Sequence, residues 1–172
     1  FAYRVDEAGK DALRNGIPCA TGNRRRQATI SWLNNDKGFQ LDGRNIDVKA
    51  KAVHARGGFR YLQPANDEPW LGILAGISTD DGSQAWRYFP ENLMGKDLVD
   101  YLSGAIQGGE ADNATLVYGG NPQLFPYKHN EGQFEVLVPL RNAKFAFQPD
   151  WPALTNLDIE LDFINDGLWM KT

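Results

Sequence analysis

The clearest pattern in the chain is a strict alternation of apolar and acidic residues between Leu157 and Phe163. Successive side chains of a β-strand point to opposite sides of the sheet. The segment is therefore predicted to be a strand with one apolar face and one solvated, acidic face. It ends at Asn165-Asp166-Gly167, which is a typical turn sequence.

The same period-two alternation recurs along most of the chain. It predicts strands over residues 27–32, 39–41, 46–61, 71–77, 114–118, 134–140 and 145–147. Within 46–61 the apolar positions change phase, and a one-residue slip turns every side chain over. We therefore predict a bulge or bend near Ala52–Val53 or at Gly57-Gly58. Consecutive strands joined by short turns indicate an antiparallel meander.

One segment has helical features instead. Asp80-Asp81-Gly82-Ser83 offers capping residues, residues 84–89 fit a short helix stopped by Pro90, and apolar residues at helical spacing predict a second helix over 98–106. Gly108-Gly109 is predicted to end that helix. An amphipathic helix of this length without a basic face is expected to pack on its own sheet.

These elements define the predicted fold class as mostly β. We expect an open, curved antiparallel sheet with a small helical insertion around residues 83–107. The 172 residues form a single unit, in which 1–35 is poorly assigned. The rest of the unit is divided into a first strand block over 36–79, the helical insertion over 80–109 and a second strand block over 110–172.

Composition and charge narrow the classes of function. A net charge of −4 argues against nucleic-acid binding, because phosphate contacts need a basic face. The positive run Arg24-Arg25-Arg26 is interpreted as a solvated loop, with contact to an anionic headgroup as the alternative. The single cysteine, Cys19, gives no disulfide within the chain. No apolar run reaches the roughly 18–20 residues that cross a bilayer.

Residues capable of catalysis are sparse. His54 and His129 have no metal-spaced partner, and Asp80-Asp81-Gly82-Ser83 lacks the alternating ligands of a calcium loop. The acids at 158, 160 and 162 are interpreted as the wet face of a strand and not as a glycosidase pair. The sequence therefore predicts no enzyme, no cofactor and no metal site.

What remains is apolar surface on three successive strands. If these strands are neighbours, their apolar side chains tile one sheet face: Phe134, Val136, Val138, Phe145, Phe147, Leu157, Ile159, Leu161 and Phe163. In a closed sandwich this face is ordinary core. In an open, curved sheet it is a groove for acyl chains, with about 25 cal/mol gained per Å² of apolar area covered.

Several linked motifs resemble the AsmA-like family of Gram-negative envelope proteins, in one order over residues 36–172. They include Ala85-Trp86-Arg87-Tyr88-Phe89-Pro90, Tyr101-Leu102-Ser103-Gly104-Ala105-Ile106, Phe147-Gln148-Pro149-Asp150-Trp151-Pro152 and Asn165-Asp166-Gly167-Leu168-Trp169-Met170. The resemblance implies the periplasmic part of a protein anchored in the inner membrane, whose repeated β units carry phospholipids between the inner and outer membranes. It implies a helical insertion that plugs or braces part of the groove, and no catalytic residues.

The resemblance also implies the partners. Phospholipid acyl chains are expected to contact the nine apolar residues named above. Attachment to the inner membrane is expected through an anchor outside this chain, which we interpret as a fragment of a longer protein. Outer-membrane or periplasmic proteins are further expected partners, and nucleic acid is not.

Three alternatives stay open at this stage. A closed β-sandwich could bind a carbohydrate or protein ligand through exposed aromatics, and a structural spacer needs the same amphipathic strands. A hydrolase has the least support, for want of a nucleophile. A charge at Ile159 or Leu161 is predicted to block transport with little loss of protein if these residues line an open groove, and to destroy the fold if they are core.

Overall fold

The computed structural model describes residues 2–5, 26–88, 91 and 95–172, with side chains from residue 28 onward. The predictions made for residues 6–25, among them Cys19 and the first two arginines of the 24–26 run, lie outside the described residues. So do Phe89 and Pro90.

In the described ranges, nine strands form one antiparallel sheet, and each strand pairs with its neighbours in sequence. They are β1 (Ala2–Val5), β2 (Arg26–Asn35), β3 (Gly38–Lys49), β4 (His54–Pro64), β5 (Trp70–Thr79), β6 (Ile106–Gly120), β7 (Gln133–Phe145), β8 (Leu154–Ile164) and β9 (Gly167–Lys171). The predicted fold class, an open antiparallel sheet of a mostly β chain, is confirmed.

The helical segments lie in the two connections on either side of β6. Between β5 and β6 the chain forms a 3-10 helix, Gly82–Tyr88, and helix α1, Lys96–Ala105. Between β6 and β7, residues 121–132 contain a short 3-10 turn, Pro122–Leu124. We call residues 121–132 the 121–132 loop. Among the described residues, no helix has both the length and the apolarity to cross a membrane.

The prediction of one long strand over 46–61 was wrong. The chain reverses there, because β3 ends at Lys49 and β4 begins at His54. The Ala50 amide donates to the Val53 carbonyl at 2.8 Å and closes the turn. The change of phase in the sequence therefore marks a hairpin. A true register shift lies earlier, between Gly43 and Ile46 of β3, and the sequence did not indicate it.

The predicted end of the second helix was also displaced. Helix α1 ends at Ala105, and Ile106 already belongs to β6. The strand continues through Gly108-Gly109, where Gly109 has a φ of 125° that favours glycine. Glycines that read as a helix stop thus form part of a strand whose pairing to β7 shifts register several times.

The register places most of the apolar residues of the strands on one side, which we call the inner face, whereas a few, such as Leu62 and Leu74, lie on the other side. Cα partners share a face, and one row of partners crosses seven strands: Ile46, Gly57, Ala75, Leu116, Val136, Phe163 and Leu168. The opposite side, the outer face, carries the charged positions. Because side chains alternate along each strand, one row fixes the face of every residue in register with it.

The buried core lies under the two connections that flank β6. It joins helix α1 and the 121–132 loop to the inner face of β6, β7 and β8: Leu102, Ala105, Ile106, Ala111, Tyr118, Tyr127, Phe134, Leu140, Ala143, Phe145, Ile159, Leu161 and Phe163. Most inner positions of β3 to β5 are only partly buried, although Gly43 and Thr79 are buried, and Leu71 and Ile73 of β5 pack against the edge of the cluster. Helix α1 and the 121–132 loop therefore cover the inner face of β6 to β8, which we call the roofed half. The inner face of β2 to β5, where most positions are partly exposed, is the open half.

Asp42 makes an ion pair on the outer face that should contribute stability in a pH-dependent way. Its carboxylate, 7% exposed, accepts from the Arg60 guanidinium at 2.7 Å. That hydrogen bond lowers the pKa of Asp42 below its ordinary value of 3.8. A lowered pKa in the folded state stabilises the fold above the unfolded value and loses that contribution as the pH falls through the folded value.

We therefore expect Asp42→Asn to lower the free energy of unfolding by about 1–2 kcal/mol at pH 7. The difference from the unchanged chain should shrink as the pH falls below 3.8. Urea denaturation of the purified chain at pH 7 and pH 3 measures it, with Asp36→Asn in an exposed turn as the control. An equal difference at both pH values contradicts this expectation.

Candidate functional site

The inner face is a continuous surface that runs across the strands. The strands end in turns, so the face can extend only across the strands, along the strand order. At a spacing of about 4.8 Å, nine strands span roughly 40 Å in that direction. A path along the inner face therefore crosses the strands.

The open half of this face lies on β2 to β5. Its apolar side chains are partly or largely exposed: Ile30, Trp32, Phe39, Leu41, Ile46, Val48, Phe59, Tyr61, Leu71, Ile73 and Ile77. Polar groups on this half are paired near its rim, where the Tyr61 hydroxyl donates to the Gln63 side-chain oxygen at 2.8 Å. This half offers apolar area to a ligand with few hydrogen-bond partners.

A glycine deepens the open half. Gly43 on β3 lies opposite Phe59 on β4. A Cβ atom at Gly43 would stand 2.3 Å from the Phe59 ring, so the ring occupies the space over the glycine. The missing side chain allows the aromatic ring to lie flat against the sheet and leaves room above it.

The outer face of the same strands has the opposite character. Arg60 pairs with Asp42, and Asp47 accepts from Arg56 at 3.2 Å and contacts the His54 ring at 2.7 Å. Strands β3 and β4 are therefore amphipathic, with charged pairs on the outer face and apolar side chains on the inner face. Such a sheet can cover apolar matter on its inner side while its outer side stays hydrated.

The nine residues predicted as a lipid lining all come together in the roofed half. Phe134, Phe145, Ile159, Leu161 and Phe163 are buried, and Val136, Val138, Phe147 and Leu157 are partly buried against them. The Phe145 and Phe147 rings pack with centroids 4.8 Å apart. Lipid contact at these nine residues stays a prediction, because here helix α1 and the 121–132 loop cover them.

An aromatic cluster forms the roof at one end of this half. Tyr127 and Phe125 of the 121–132 loop pack on Tyr118 and Phe134 of the sheet, with ring centroids 5.7 Å apart for Tyr127–Tyr118 and 5.2 Å for Phe125–Phe134. Burial raises the pKa of Tyr127, so its hydroxyl stays protonated. The cluster is an apolar plug without an ionised group.

Sequence reasoning missed the open half as a site. Leu41, Phe59, Tyr61 and Ile73 alternate as regularly as the later strands, and this alternation was the available signal. It predicted strands there but did not distinguish exposed apolar positions from core. Exposure depends on what covers the sheet, and the covering segments are fixed by tertiary packing.

Side chains with acid–base potential lie away from the inner face. His54 is on the outer face with Asp47, and His129 lies in an exposed turn. Asp158, Glu160 and Asp162 lie on the outer face of β8, where burial and the neighbouring Glu135 and Glu160 raise the pKa of Asp162. Within the described ranges no group of three potential metal ligands comes together.

The described strands thus form an open antiparallel sheet with one mainly apolar face and an opposite face that carries the charged pairs. The chain belongs to the YhdP family, since the family model described as YhdP protein matches residues 23–172. It is similar to the intermembrane phospholipid transporter YhdP of Escherichia coli (strain K12), with 99% identity over 146 residues. That match covers 85% of this chain and 12% of the relative. No solved structure matches the chain.

Proposed function

We propose that this chain forms one section of a hydrophobic groove through which phospholipid acyl chains pass between two membranes. The observation that carries the proposal is the continuous, mainly apolar inner face from β3 to β9, which remains partly exposed on β3 to β5. The relative's printed name, intermembrane phospholipid transporter, supplies the class of ligand. The chain spans 12% of that relative, and in this proposal the groove continues in the rest of the longer protein.

The role of the lining is passive. Aliphatic and aromatic side chains exclude water from acyl tails at about 25 cal/mol per Å² covered, without hydrogen bonds that would fix a lipid in one place. Non-directional contacts of this kind allow sliding. The lipid headgroup is expected to remain at the hydrated rim of the groove, where polar side chains such as Gln63 lie.

We further propose the cellular setting that the AsmA-like resemblance implies. The section would lie in the periplasm of a Gram-negative bacterium, held to the inner membrane by an anchor outside this chain. Outer-membrane or periplasmic proteins would complete the path. The word intermembrane in the relative's name supports a location in the cell envelope.

The two rival functions have less support. A closed β-sandwich needs two sheets face to face, whereas the strands here form one sheet in sequence order. A structural spacer does not need an exposed apolar face. Such a face promotes aggregation unless a ligand or partner covers it, so a spacer would be expected to lack one.

Site-specific photocrosslinking in cells tests the proposal. A photoreactive residue at Ile73 of the full-length protein should become labelled by radiolabelled phospholipid, because Ile73 lies on the inner face. The matched control is the next residue, Leu74, which lies on the outer face and is 65% exposed. Exposure alone would label Leu74 more strongly, so equal label at both positions contradicts the groove.

A second pair of probes tests the predicted lining. Ile159 lies under the roof at 2% exposure, and Glu160 points outward. Label at Ile159 but not at Glu160 would mean that lipids also reach the roofed half. Label at Ile73 alone would restrict lipid contact to the open half.

A further inference from the structure

The 121–132 loop lies across the line that a lipid would follow. Its Phe125 and Tyr127 pack on Tyr118 of β6 and Phe134 of β7, and Tyr127 is 0% exposed. Tyr118 and Phe134 are neighbours in one row of inner residues that begins at Ile73 of β5, so an acyl chain that moves along this row must pass the loop. Either the loop moves or the path ends there.

The closed position of the loop is held at a cost. Tyr127 has a φ of 58°, in the left-handed region that a bulky residue seldom adopts. The hydroxyls of Tyr118 and Tyr127 are buried beside each other, and neither is bonded to any other group of the described chain. Burial deprives them of the hydrogen bonds that water would give them. Displacement of the loop would hydrate both hydroxyls and release the backbone.

The loop is also built to move as a unit. Its backbone hydrogen bonds close consecutive turns inside it: Leu124 to Asn121, Tyr127 to Leu124 and Asn130 to Tyr127, each at 3.0 Å. Gly119-Gly120 precede the loop and Gly132 ends it. Rotation about such flanking residues could lift the loop without loss of these turns.

Only side-chain hydrogen bonds are seen to tie the loop to the rest of the described chain. The Asn121 amide donates to Glu68 at 3.1 Å, and the Asn165 amide, in the β8–β9 turn, donates to the Asn130 side-chain oxygen at 3.3 Å. Helix α1 differs, because the Ala146 backbone amide donates to the Ala105 carbonyl at 2.9 Å. The helix is thus tied to the main chain of the sheet side, and the loop is held by exchangeable polar contacts.

We propose that the 121–132 loop is a gate in the groove, with Tyr127 as its plug. When closed it covers Tyr118 of β6 and Phe134 of β7, and it swings away to let an acyl chain pass between the β5 side and the β9 side. The proposal rests on the proposed function, since a gate needs a lipid path.

A reversible lock tests the gate in the full-length protein. Asn130→Cys with Asn165→Cys joins the loop to the β8–β9 turn in a background whose other cysteines are serine. A non-reducing gel reports closure of the pair, and a short bismaleimide closes it where oxidation leaves free thiols. Photoreactive residues at Ile73 on β5 and Met170 on β9, both on the inner face, report phospholipid on either side of the gate.

In the locked protein, label should persist at one probe and fall to the background without ultraviolet light at the other. Reduction of the disulfide should restore both. The control lock, Asp47→Cys with Arg56→Cys, joins two opposed residues on the outer face and should leave both labels unchanged. Equal label at both probes in the fully locked protein overturns the gate alone. Absence of label at both probes in the reduced protein overturns the proposed function and the gate with it.

A second variant needs no crosslink. Tyr118→Phe with Tyr127→Phe keeps both rings and removes both buried hydroxyls, so no hydroxyl is left to gain water when the loop opens. The closed loop becomes more stable, and phospholipid label on the far side of the gate should accumulate more slowly. A purely structural role for Tyr127 predicts an unchanged rate of labelling. An unchanged or faster rate therefore contradicts the gate.

Discussion

Leu41→Asp in the full-length protein is expected to stop phospholipid passage without loss of protein. Leu41 lies on the open half of the inner face and is only partly buried, so a carboxylate there can reach water when no lipid is present. An acyl chain that slides past it must either lose contact with the wall or desolvate the charge. At about 3 kcal/mol for a charge within hydrocarbon, passage should slow by roughly 100-fold.

The matched control for this variant is Leu62→Asp. Leu62 is also a partly buried leucine, but it lies on the outer face, where its Cα partner on β5 is Trp70. Both variants add one negative charge to the same part of the sheet. Immunoblots report the amount of protein, and lipid label at Ile73 reports passage. Equal phospholipid transport by the two variants would contradict the assignment of the inner face as the lipid path.

Leu161→Asp is expected to have a different and larger effect, on the fold itself. Leu161 is 1% exposed beneath the roof, in contact with the core that helix α1 and the 121–132 loop complete. An aspartate there loses the burial of a leucine and places an unpaired carboxylate among apolar side chains. The loss in free energy of unfolding should exceed about 4 kcal/mol, a large part of the roughly 5–15 kcal/mol of a typical domain.

Limited proteolysis of the full-length protein measures this effect. New cleavage sites should appear within residues 95–172 of the Leu161→Asp protein, and mass spectrometry locates them. Glu160→Lys, at the exposed neighbouring position on the outer face, serves as the control and should remain resistant. A Leu161→Asp protein that resists proteolysis but no longer passes lipid would instead mean that the roof opens readily enough to hydrate the charge.

Leu41 and Leu161 show that an apolar residue in a strand can be either a partly exposed surface residue or a buried core residue. Both residues occupy the apolar phase of a clear alternation, and both lie on the inner face. Local periodicity reports the side of the sheet to which a residue points, because it follows from backbone geometry. It does not report whether a later or earlier segment of chain covers that side.

The hairpin at residues 50–53 illustrates a second limit. A change of apolar phase within 46–61 fits either a bulge in one strand or a reversal between two strands. A bulge and a reversal give the same order of apolar and polar residues in the sequence. Pairing of His54 with Lys49 across the turn decides between them, and such pairing is a contact between strands and not a property of either strand.

The sequence by itself determined that this protein is a mostly β chain with one apolar and one charged face and a helical insertion around residues 83–107. These properties follow from side-chain alternation and from residue types, which are local. Only the tertiary structure decided that the inner face is open over β3 to β5 and roofed over β6 to β8. The roof is made by helix α1 and Tyr127, whose positions depend on long-range packing that local patterns do not encode.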